Sequence, residues 1–141
     1  MPASKKILIL LLFILQLLAG EIYAQLDLST NYFKIHINDK GFITSMKNIT
    51  VKPFREFSIK TKPSPLLCLY NSSKKKSYEP EEATFEKNNT IIALKYANGS
   101  VAKVALGVHK KYFKFTLQSL TQRKGIDDIQ WGSFYNRDST S

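Results

Sequence analysis

The chain has 141 residues, 43% of them hydrophobic and 12% aromatic, and its 21 Lys and Arg against 11 Asp and Glu give a formal charge of +10. That length accommodates one domain and hardly two, and the single cysteine, Cys68, excludes any internal disulfide. So large a basic excess suits nucleic acid, acidic lipid or an anionic polysaccharide, and its distribution along the chain decides what it means.

Residues 1–24 read as a secretory signal peptide that would form a short apolar helix. "MPASKK" supplies Lys5 and Lys6, "ILILLLFILQLLAG" is broken only by Gln16, and "EIYAQ" offers Ala24 as the small residue before a cut. The apolar core, Ile7 to Ala19, has 13 residues, short of the ~20 that a bilayer-crossing helix needs. Cleavage near Ala24 predicts a secreted or periplasmic mature chain, residues 25–141, with no membrane span. Export also argues against nucleic acid as a partner. A disulfide-free exported domain fits a bacterial periplasm better than a disulfide-dense extracellular module.

From Gln25 onward the hydrophobic period is two. "YFKIHIN" sets Phe33, Ile35 and Ile37 against Lys34, His36 and Asn38, and "DKG" turns the chain at Asp39 to Gly41. "FITSMKNI" then alternates Phe42, Thr44 and Met46 against Ile43, Ser45 and Lys47, which completes a hairpin. "FREFSIK" is a third candidate strand between Pro53 and Pro63, and "SPLLCLY" a fourth, apolar enough to be buried on both faces. The polar stretch "NSSKKKSYEPEE" reads as an exposed loop containing the only true lysine run, Lys74 to Lys76.

"ATFEK" precedes the clearest hairpin, in which "TIIALKY" and "SVAKVALGVH" flank Asn98-Gly99, a pair suited to the positive φ angles of a tight primed turn. Ile92, Leu94 and Tyr96 would share one face with Ala102, Val104, Leu106 and Val108 of the partner strand. "YFKFTLQSL" adds Phe113, Phe115 and Leu117, and "IDDIQWGSF" is the last strand. Eight or nine strands with frequent turns and no helix after residue 25 predict a single all-β domain, an antiparallel sandwich. The other lysines fall mostly on outward strand positions, as a solvated face would have them.

Catalytic and metal-binding patterns are absent. His36 and His109 sit at outward or strand-end positions, and no His/Cys cluster offers the three or four converging ligands of a zinc site. Asp127 and Asp128, adjacent on a strand, would point to opposite faces, whereas a glycosidase pair faces across a sugar. Glu79, Glu81 and Glu82 form a loop run. Four sequons, at Asn48, Asn71, Asn88 and Asn98, have no consequence in a bacterial chain. The six glycines are isolated, so phosphate-binding loops and nucleophile elbows are missing, and no cofactor is implied. Tyr70, Tyr78, Trp131, Phe134 and Tyr135 are the aromatics that would serve as sugar platforms. For Trp131 the competing reading is core, since Ile126 and Ile129 flank it on an apolar strand.

Three stretches then carry a resemblance: "FKIHINDKGFITSMKN", "SPLLCLYNSSKKKSYEP", and "ATFEKNNTIIALKYANGS" with its continuation to "IDDIQWGSF". Together, over nearly all of residues 30–134, they resemble the N-terminal galactose-mutarotase-like β-sandwich of large exported Bacteroidetes glycoside hydrolases. In that family a strand ending in "I-x-W-G-P" runs toward the catalytic barrel; here the proline is replaced by Ser133. The resemblance implies a partial supersandwich without catalytic residues of its own, supporting a downstream catalytic domain that would lie on a separate chain. Its role would be structural or carbohydrate-associated, with polysaccharide or oligosaccharide as ligand and Trp131, Phe134, Tyr135 and Tyr78 as contacts. A stand-alone carbohydrate-binding module is the alternative, and a small active glycosidase or sugar epimerase a third.

Overall fold

The computed structural model describes residues 24–58 and 61–132; the leader and the tail residues Phe134 and Tyr135 lie outside them. The described chain is an all-β, antiparallel sandwich with no helix. The first sheet holds β1 (Leu26–Ser29), β2 (Phe33–Ile37), β3 (Phe42–Asn48) and β4 (Arg55–Glu56) in chain order, with β5 (Ser64–Pro65) also paired to β3. The second runs β12 (Asp128–Trp131), β6 (Leu67–Asn71), β7 (Lys76–Tyr78), and the third β11 (Phe113–Thr121), β10 (Val101–Val108), β9 (Ile91–Tyr96), β8 (Pro80–Glu86).

Inward side chains from all three sheets meet in one core. Ile37, Leu67, Leu69, Ile92, Leu94 and Val104 are fully buried, with Leu26, Ile35 and Ile43 against them. The Tyr96 hydroxyl donates to Leu67 O at 3.0 Å, so the one phenol in this interior keeps a partner and ties β9 to β6. The β9–β10 hairpin is present, but the expected primed turn is corrected: Gly99 alone has positive φ, +84°, and bonds from the Gly99 N–H to Tyr96 O at 2.9 Å and from the Tyr96 N–H to Ser100 O at 3.1 Å make the turn three residues, Ala97 to Gly99.

Register departs from strict alternation at three bulges. β2 pairs Ile35 with Met46 and Ile37 with Ile43, so Thr44 is the extra residue and Ile43 turns inward together with Met46. The expected grouping of Phe42, Thr44 and Met46 on one face is therefore corrected. In β11 the extra residue is Gln118, which lets Leu117 and Leu120 both face the core despite their odd spacing. Glu81 is skipped likewise in β8. Val108 is corrected too. It lies beyond the packed part of β10 and is exposed.

The described residues form twelve strands where eight or nine were expected. Leu26–Ser29 forms a strand, "SPLLCLY" divides at Leu66, whose N–H donates to Gly41 O at 2.9 Å, and Lys76–Tyr78 of the polar stretch pairs with β6. Of "FREFSIK" the described residues form strand at Arg55–Glu56, and Ile59 and Lys60 lie outside them. The Glu56 carboxylate accepts from the Met46 N–H and the Ser45 hydroxyl, both at 2.8 Å, and from the Ser58 N–H at 3.2 Å, beside a backbone bond from the Phe57 N–H to Met46 O at 2.8 Å.

Burial pushes the Glu56 pKa up, but bonds from the Ser58 side chain, the Met46 amide and Ser45 outweigh it, and the carboxyl titrates below its ordinary value of 4.5. A folded value below the unfolded one contributes stability above the unfolded pKa, lost as pH falls through the folded pKa. Thermal melts should show wild type losing stability steeply on acidification below about pH 4.5. Glu56→Gln should be less stable at neutral pH, with a flatter acid limb. Parallel pH profiles would contradict the assignment.

On the outer face of the third sheet, Lys103 Nζ reaches Glu86 Oε2 at 2.9 Å and Lys95 Nζ reaches Glu82 Oε1 at 2.8 Å. Exposed pairs of this kind stabilise little. The Glu86–Lys103 pair spans β9 diagonally, however, flanking Ile91 and Ala93, which share that outward face and are buried.

Candidate functional site

Of the predicted site residues, Tyr78 lines an open groove of about 650 Å³. It opens between the β2–β3 turn, β7 with the start of β8, and the β9–β10 turn. Lys40, Phe42, Lys76, Ser77, Tyr78, Glu79, Pro80, Glu81 and Ala97 line it. The β6–β7 hairpin sets the ring in place. Asn71 Oδ1 accepts the Lys74 N–H at 2.9 Å and the Ser73 hydroxyl at 2.8 Å, closing the turn, and pairing of Leu69 with Tyr78 aims the ring toward the core side.

Lys76 Nζ lies 4.8 Å from the Tyr78 ring centroid, a cation over a π face. Two ammonium groups, two carboxylates, a serine hydroxyl and a half-buried phenol thus surround one groove. That inventory offers donors and acceptors to a hydroxyl-rich ligand and a ring edge for its apolar face. Glu79 and Glu81, expected as a solvated loop run, are walls of this groove, and Glu82 belongs to β8, paired with Lys95. Their role was not legible because it depends on the hairpin that brings Lys40 and Lys76 beside them.

Trp131 is elsewhere. It pairs with Leu67 at the far side of β6, does not line the groove and is 43% exposed, so the core reading is corrected. The cause is topological. Directly paired residues share a face, which puts Trp131 on the same side as buried Leu67 and Leu69, but β12 is the last strand of its sheet and no strand among the described residues pairs with its outer edge. Tyr70 lies on the opposite face between Asp128 and Ser77 and is half-buried. Phe134 and Tyr135 fall outside the described residues.

The titratable groups are also dispersed. His36 Nδ1 lies 3.0 Å from Asp27 Oδ1 across β1 and β2, so this histidine has the carboxylate partner that the sequence did not disclose; the pairing follows from register. His109 stacks on Tyr112 with centroids 4.4 Å apart. Asp127 precedes β12 and accepts from the Ser72 N–H at 3.0 Å and from the Ser72 hydroxyl, bonds that hold its carboxyl below the usual range. Asp128 accepts the Ile129 N–H at 2.8 Å. Burial, and then the Glu79 charge, push the Cys68 thiol up, which makes it a poor nucleophile. Among the described residues no three His, Cys, Asp or Glu side chains converge in a metal-binding group.

Scans against family models, curated proteins and solved structures give no significant match to this chain.

Proposed function

We propose that this chain is a non-catalytic, exported β-sandwich domain, akin to the amino-terminal domain of a glycoside hydrolase, whose part is to pack beside a catalytic neighbour. The observation that supports this reading is the open flank between β11 and β12. Phe113, Phe115, Leu117, Leu120, Ile126 and Ile129 are only partly buried against the core, and Trp131 lies exposed on the same inward side of β12. Leu117, Leu120, Ile126 and Ile129 border a gap of about 160 Å³ there. Two edge strands with an apolar interior showing between them suit a surface completed by another polypeptide.

Sedimentation velocity over a concentration series tests the reading. The isolated chain should self-associate as concentration rises, because copies cover each other's flank, and Trp131→Lys should leave it monomeric. A wild-type chain that remains monomeric at high concentration would count against the open flank. Aryl glycosides and reducing sugars should not be turned over, and measurable turnover removes the non-catalytic reading.

The Tyr78 groove favours a second reading, a carbohydrate-binding module. Binding to a glycan array, weakened about tenfold or more by Tyr78→Ala, a loss of about 1.4 kcal/mol or more, and unchanged by Trp131→Ala, would favour it. The opposite pattern would move the sugar to the β12 edge.

A further inference from the structure

Six large hydrophobic side chains are exposed among the described residues, and five of them, Tyr32, Val51, Phe54, Val108 and Tyr112, gather at one end of the sandwich; Trp131 is the sixth. Backbone bonds bring their loops together. The Asn31 N–H donates to Lys110 O at 2.9 Å, joining the β1–β2 turn to the β10–β11 turn. The Ile49 N–H donates to Tyr32 O at 2.9 Å, which brings in the β3–β4 loop. The β8–β9 turn lies at the same end, where the Leu106 N–H donates to Thr90 O at 2.8 Å.

Charge separates this end from the other. Residues 30–32, 49–54, 87–90 and 108–112 contain Lys52, Lys87, Lys110 and Lys111 and no Asp or Glu. The carboxylates on the adjoining strands are already engaged: Asp27 with His36, Glu56 with Ser45 and Met46, Glu86 with Lys103. At the opposite end Asp39 and Asp127 are mixed with Lys40, Lys74 and Lys124.

Apolar tips ringed by lysines, with no acid among them, match the boundary between headgroups and acyl chains of an anionic bilayer. Tyrosine rings suit the headgroup level. Val51, Phe54 and Val108 have no side-chain hydrogen-bonding atom to offer a glycan, whereas acyl chains accept them. We propose that this end of the sandwich docks peripherally on an anionic lipid surface. Val51, Phe54 and Val108 insert, and Lys52, Lys87, Lys110 and Lys111 lie over the headgroups. This proposal does not depend on the role of the β11–β12 flank.

Amine footprinting of the full chain tests it, with vesicles of equal parts phosphatidylglycerol and phosphatidylcholine compared with phosphatidylcholine alone. Phosphatidylglycerol should suppress acetylation of Lys52, Lys110 and Lys111 while Lys40, Lys74 and Lys124 react unchanged. A chain held only by its leader gives the reverse. Leu26 pairs with Ile37 beside the Asn38–Gly41 turn, so the leader joins at the opposite end and would shield Lys40 first. That reversed pattern overturns the proposal.

The double variant Phe54→Ser, Tyr112→Ser changes only exposed side chains and should restore lysine reactivity. Lys110→Gln should raise the lipid concentration that half-protects Lys52 about fivefold, the contribution of one lysine near an anionic surface. Lysines that stay reactive with both vesicle types overturn the proposal. So does protection by soluble polygalacturonate without protection by vesicles, which would reassign the surface to an acidic glycan.

Discussion

Leu94→Ala should destabilise the fold by about 2–5 kcal/mol, the range for a buried leucine whose cavity does not collapse. Leu94 is fully buried in mid-strand, with Ala83 on β8 and Ala102 on β10 beside it, so neither neighbour is large enough to fill the space. Its side chain also abuts the β2–β3 turn, because a Cβ built on Gly41 would meet Leu94 Cδ2 at 2.5 Å. Urea unfolding should show a lowered midpoint with little change in slope. Gly41→Ala should be costly in its own right, since Gly41 has φ +83° as well as that close approach. The two changes share one contact, so Gly41→Ala should cost less in the Leu94→Ala background than in wild type. Strict additivity, or a Leu94→Ala effect below about 1 kcal/mol, would contradict the packing of the third sheet on this turn.

Gly132→Ala should detach β12, at a cost of about 1–3 kcal/mol from overpacking. The Gly132 N–H donates to Leu66 O at 3.2 Å, and a Cβ at this residue would collide with Pro65 O. The obstruction is backbone, not the end of a flexible side chain, so β12 or β5 must shift. The pairing of Trp131 with Leu67 and of Ile129 with Leu69 should suffer first. Hydrogen exchange separates this from general unfolding: amides of Ile129 and Trp131 should lose protection while those of Ile92, Leu94 and Val104 keep theirs. Unchanged protection at Ile129 and Trp131 would mean that the glycine is not required.

These residues also mark what the sequence could and could not disclose. The β9–β10 hairpin was legible because its signals are local: Asn98-Gly99 at the turn and an apolar residue at every second position on both sides. The three bulges were not. A single extra residue at Thr44, Glu81 or Gln118 inverts the facing of the rest of its strand, and only cross-strand pairing reveals it. The bonds from Ser45 and the Met46 N–H to Glu56 were not legible either, because these partners are set by the β3–β4 pairing and not by sequence neighbours.

For the candidate sites the division is similar. Tyr78 was chosen as an exposed aromatic, but its groove depends on Lys40 and Lys76 arriving from different hairpins. The neighbours Ile126 and Ile129 suggested a core position for Trp131, and its pairing with Leu67 does put it on the core side. What covers that side is a property of strand order, and β12 is an edge. The aromatic and basic end was invisible for a further reason: Tyr32, Phe54 and Tyr112 are spread over the chain and converge only through the Asn31–Lys110 and Ile49–Tyr32 bonds.

The open flank of β12 rests on one ring, and the chain contains only one tryptophan. Its fluorescence therefore reports Trp131 alone. At a dilution where sedimentation shows monomer, emission should be that of a partly hydrated indole and acrylamide should quench it readily, and both effects should diminish as the chain self-associates. A blue-shifted emission that acrylamide cannot reach in the monomer would place Trp131 in a closed core and contradict the account.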